Sequence, residues 1–84
     1  MEPIEVSWQK EYSMYSTIEY LGEEGYDYYF KITRNQVDGV FDPEVFECMV
    51  MTDGKSVVAV ECEAILNREE TRAIKSMMPL FDVY

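Results

Sequence analysis

The groups in this chain that could do chemistry are carboxylates, and two sets have suggestive spacing. Glu61 and Glu63 lie two apart in a β-rich run, so on a strand they share a face. Such a pair does acid–base work when one member is stripped of water. Nothing nearby supplies a nucleophile, and the plain expectation is a solvated strand end. Asp38, Asp42, Glu44 and Glu47 form the densest acidic cluster near a loop, and hard cations take oxygen ligands. The spacing fails the calcium-loop pattern, which needs acids at alternate positions, a central glycine and a distal glutamate. Turn chemistry explains it better. Asp38-Gly39 makes a turn, and Asp42 caps a single helical turn beginning at Pro43.

Other chemistries are excluded by what is missing. There is no histidine, so the commonest general base and metal ligand is absent. Cys48 and Cys62 match no metal-ligand spacing and have no imidazole to activate them. They are expected as small apolar core thiols in a cytoplasmic protein. Gly22, Gly25, Gly39 and Gly54 all sit in turn contexts, and none belongs to a phosphate-cradling loop. The expectation is a protein that is not an enzyme and holds no cofactor or metal.

Charge sharpens it. Seventeen acidic residues stand against seven basic ones, for a formal net charge of -10. Nucleic acid and anionic membrane are excluded as direct partners, because both would be repelled. No stretch approaches the ~18–20 apolar residues of a membrane span. The first residues lack the basic region and apolar core of a signal peptide. At 48% hydrophobic residues, the chain is nevertheless a globular one, of a size for a single small domain over 1–84.

The elements follow from pattern. Val45–Thr52 and Lys55–Cys62 flank Asp53-Gly54, the strongest short-range hairpin signal. A two-residue turn there sets Thr52 opposite Lys55, Val50 opposite Val57 and Cys48 opposite Ala59. The cysteines then point to opposite faces, which forbids a bridge between them. Phe46, Cys48, Val50, Val57 and Ala59 share one face; Val45, Met49, Met51, Val58, Val60 and Cys62 share the other. Both faces need cover. Tyr26, Tyr28, Phe30 and Ile32 alternate with polar residues as a half-buried strand does. Met14, Ile18 and Tyr20 form its hairpin partner across a turn at Gly22–Gly25. Matching the two apolar faces calls for a glycine bulge. Trp8, Tyr12, Tyr15 and Ile18 also fit a helical face, so residues 9–21 stay open between strand and helix. Ile4, Val6 and Trp8 suit a first strand.

Asn67 with Glu70 makes a capping box for a helix over about 68–77, ended by Pro79. Ile74, Met77, Met78 and Phe81 form its buried stripe. The sum is α+β: an antiparallel sheet of four to five strands, built from two hairpins, with one C-terminal helix on one face.

Three functions fit such an object. The first is a small acidic binding module or inhibitor that engages a basic surface of a partner protein. Aromatics ringed by acids suit arginine, through stacking and carboxylate pairing. Glu19, Glu23, Glu24, Asp27 and Tyr29 are the expected contact residues, and reversing Glu23 and Glu24 to lysine should weaken binding in a salt-dependent way. Mimicry of DNA is the extreme form. Area scaling gives this fold roughly 5,200 Å², about 520 Å² per net charge. DNA, on a cylinder of ~10 Å radius, carries one charge per about 105 Å². The average surface is about five times too dilute, so mimicry requires the acids to gather on one face. The second function is a homodimeric structural or accessory protein, its interface drawn from Met49, Met51, Val58, Val60, Leu80 and Phe81, its charge serving solubility only. The third is a small-ligand pocket between helix and sheet, lined by Met49, Met51, Met77 and Met78. In length and acidity alone the chain resembles small acidic proteins of mobile elements, with no motif behind the resemblance.

Overall fold

A computed structural model describes residues 2–9, 13–37, 39 and 42–78. Five strands run in chain order: β1 (Ile4–Gln9), β2 (Met14–Glu24), β3 (Asp27–Gln36), β4 (Glu44–Thr52) and β5 (Val57–Cys62). They form one antiparallel sheet in the order β1-β2-β3-β4-β5. Among the described residues one helix, α1 (Arg68–Met77), follows and packs on one face. This is the α+β arrangement expected from the pattern. The open segment resolves as strand from Met14 onward, while residues 10–12 lie outside the described residues.

Local chemistry explains the helix limits. Asn67 accepts from the Glu70 amide at 2.8 Å, and the Glu70 carboxylate accepts from the Asn67 amide at 2.9 Å, closing the capping box. Met78 takes an extended backbone and ends the helix ahead of Pro79. Ala73, Ile74 and Met77 of α1, with Met78 just beyond it, bury against Ile18, Phe30, Ile32, Phe46, Cys48 and Val50 of the sheet. Leu80 and Phe81 lie outside the described residues.

The first hairpin solves its parity problem inside the strand. β2 continues through Glu24, and the turn is Gly25-Tyr26 rather than Gly22–Gly25. The register slips between Tyr20 and Gly22, so Ile18 faces Ile32 and Tyr20 faces Phe30 on the helix side. Gly22 sits at φ 133°, where a β-carbon is strained although the space around it is open. Gly22→Ala is therefore expected to cost about 1–3 kcal/mol, read as a lower urea midpoint. An unchanged midpoint would mean the bulge has no need of glycine.

Three expectations are corrected. The chain at Pro43 makes no helical turn: Asp42 and Pro43 lead directly into β4, because Glu44 already pairs with Arg34 of β3. The Asp53-Gly54 turn is not a two-residue loop. Asp53 Oδ1 accepts from the amides of Lys55 at 2.9 Å and Ser56 at 2.8 Å, which widens the loop to residues 53–56. Thr52 then faces Val57, and a second register shift sets Met51 opposite Ala59 and Cys48 opposite Cys62. The cysteines therefore share a face and form a disulfide, with their Cα atoms 4.2 Å apart.

That register re-sorts the apolar residues. Val57 joins Phe46, Cys48 and Val50 on the helix side as expected, but Val60 and Cys62 come with it, and Ala59 moves to the opposite face beside Met51. The far face is consequently more polar than the two-residue turn implied.

Candidate functional site

Helix α1 covers one face of the sheet; among the described residues nothing covers the other. Strand parity and register place Glu5, Glu19, Glu24, Asp27, Glu47 and Glu61 on this open face. Glu63 continues the row just past β5, where its amide donates to the Glu47 carbonyl at 3.4 Å and its carboxylate accepts from the Glu47 amide at 3.3 Å. Glu19, Lys31 and Glu47 stand side by side across β2, β3 and β4. Lys31 is the one cation at an open-face strand position among the described residues. Tyr29 and Met49 are neighbours in the adjacent row, and with Glu47, Glu61 and Glu63 they line a shallow depression of about 340 Å³.

Of the five contact residues expected from sequence, Glu19, Glu24, Asp27 and Tyr29 share the open face. Glu23 lies opposite Tyr28 and turns to the helix side. There burial, then the Glu23 charge, pushes the Tyr20 and Tyr28 hydroxyls above their ordinary value. Glu47, Glu61 and Glu63 belong to the face and were not singled out as binders. Parity within β4 finds Glu47, whereas Glu61 and Glu63 are found only with β5 in its true register, which differs from the two-residue-turn expectation.

The expected dimer set is divided. Met49 and Met51 are half-buried on the open face, whereas Val58 and Val60 are exposed at the β5 edge, 66% and 50% respectively. The methionines do not gather into a pocket: Met77 and Met78 are buried under the sheet's opposite face. Asp42, Glu44 and Glu47 do not converge, and no group of three or more metal-ligating side chains among the described residues is arranged to hold an ion. Among the described residues no helix is long and apolar enough to cross a membrane.

What positions the open face is a buried polar hub on the other side. Glu70 is fully buried. Arg34 of β3 grips it with two parallel bonds, Nε to Oε2 at 2.8 Å and Nη2 to Oε1 at 2.8 Å. The Ser16 hydroxyl donates to Oε2 at 2.6 Å, and the Trp8 indole N–H donates to Ser16 at 2.8 Å. Arg34 also donates to Glu44 at 3.0 Å and to the Ile65 carbonyl at 2.6 Å, with its guanidinium 4.7 Å from the Phe46 ring centre. β1, β2, β3, β4 and the helix start thus meet at one ion pair. Burial alone would push the Glu70 carboxyl up. Hydrogen bonds from Arg34, Ser16 and the Asn67 amide outweigh it and hold the carboxyl below its ordinary 4.5. Glu70 was legible as a cap from sequence, but its ion pair was not, because Arg34 is 36 positions away.

No protein family, curated protein or solved structure matches this chain.

Proposed function

We propose that the protein is a small non-enzymatic binding module, or inhibitor, whose open sheet face docks on a basic surface of a partner protein. The observation that carries this reading is one-sidedness. The open face holds a field of carboxylates around Lys31, while the helix spends its outer face on Arg68 and Arg72. A face of one sign steers an oppositely charged partner and orients it on approach. Tyr29 adds a ring on which a guanidinium can stack. The reading keeps the cytoplasmic setting expected from sequence, where a disulfide is a redox-responsive bond rather than a constitutive one.

The test is the double variant Glu47→Lys with Glu61→Lys, both exposed. Wild-type protein immobilised in host extract at about 50 mM salt should retain a partner that elutes at about 500 mM. The variant should not retain it. Equal retention by the two proteins would remove the open face from the reading.

A second reading, self-association, is favoured by a different observation. Beside the edge strand β5, Val58, Val60 and Ile65 are 66%, 50% and 91% exposed. An unpaired edge with apolar neighbours invites a second copy. Sedimentation that is independent of salt and shows only monomer at high concentration would dismiss it.

A further inference from the structure

The nature of the basic surface can be narrowed, on the understanding that this step rests on the docking reading just given. We infer that the open face fits a protein groove that otherwise holds the phosphate backbone of duplex nucleic acid.

The support is charge density. A strand residue occupies about 16 Å² of sheet plane, from ~3.3 Å of rise and ~4.8 Å of strand spacing. The five strands therefore span about 670 Å². The six strand-borne carboxylates of the open face less Lys31 leave about five negative charges, or about 130 Å² per charge. Duplex DNA, taken as a smooth cylinder of ~10 Å radius with one charge per ~1.7 Å, carries one per about 105 Å². Over its whole surface of 5749 Å² the protein carries only one net charge per about 570 Å². Segregation by the sheet, not net charge, closes most of that fivefold gap.

The same charge excludes the alternatives. Nucleic acid itself is repelled, and a second copy meeting this face would oppose like charge to like charge.

The experiment uses two purified basic proteins as probes. One is an HU-type architectural protein preloaded with a fluorescent ~20-bp duplex; the other is lysozyme, a basic protein with no nucleic-acid-binding role. In about 50 mM salt the chain should displace the duplex at micromolar concentration. It should bind the architectural protein at least about tenfold more tightly than lysozyme. Glu47→Lys with Glu61→Lys should weaken displacement about tenfold or more. A control with the same net charge change, Glu2→Lys with Asp42→Lys, alters exposed residues off this face and should leave displacement intact. Denaturation curves confirm that each variant is folded. If the chain binds both probes alike and leaves the duplex in place, the groove assignment is overturned while the docking reading stands. If it binds neither probe, the docking reading falls as well.

Discussion

Replacing Glu70 with alanine is expected to lower stability by about 3–5 kcal/mol, because it removes the buried partner of Arg34 and leaves that guanidinium only the exposed Glu44. A domain of this length holds only about 4–13 kcal/mol in total. At ~4–8 °C per kcal/mol the midpoint should fall by well over 10 °C. Arg34→Ala should behave alike, since it leaves the fully buried carboxylate unpaired. Two comparisons make the result specific. Glu44 meets the same guanidinium, but its side chain is 57% exposed, so Glu44→Gln should cost under ~1 kcal/mol. Trp8→Phe removes one hydrogen bond to Ser16 and should cost about 1 kcal/mol. The pH dependence has a definite sign. The folded Glu70 carboxyl lies below its unfolded value, so its contribution is complete above about 4.5 and is lost as pH falls through the lower folded value. Wild-type protein should weaken on acidification through that window, and the Glu70→Gln variant should show a smaller loss there. Equal acid sensitivity in the two proteins would contradict the assignment.

The second large effect is expected from the Cys48–Cys62 cross-link, which closes 14 residues of chain. In the chain-entropy account a loop of this size contributes about 3 kcal/mol. Reduction, or Cys48→Ser with Cys62→Ser, should lower the denaturation midpoint accordingly. Because β5 is an edge strand bonded only to β4, amide exchange should rise first there and least in β2 and β3. Untreated protein should resist alkylation until reduced. Alkylation of both cysteines in the untreated folded protein would show that the bond is not formed.

The two effects bear on one surface from opposite sides. The hub sets the helix over β1–β3 and so decides which face stays open. The cross-link fixes β5 in the register that brings Glu61 onto that face. Loss of either should disturb the carboxylate field without touching a carboxylate in it.

Local chemistry was enough to specify much of this molecule. The Asn67–Glu70 cap, the helix end before Pro79, the alternation of Tyr28, Phe30 and Ile32, and the need for a bulge near Gly22 are all short-range effects, set by neighbours a few positions apart. The helical turn expected at Pro43 failed because strand pairing of Glu44 with Arg34 outcompeted a lone proline signal. The Asp53-Gly54 turn failed for a related reason. Two-residue and four-residue loops are both open to that dipeptide, and the Asp53 side chain bonding the amides of Lys55 and Ser56 selected the longer one. A shift of register by an odd number carries the side chains of β5 beyond Val57 to the other face. Hence the disulfide, the positions of Val60 and Ala59, and the company kept by Glu61 could not be read from the chain. The composition determined that the surface must be anionic. Only the pairing of strands, and the burial of Glu70 against an arginine distant in sequence, decided that seven of the carboxylates stand together on one open face.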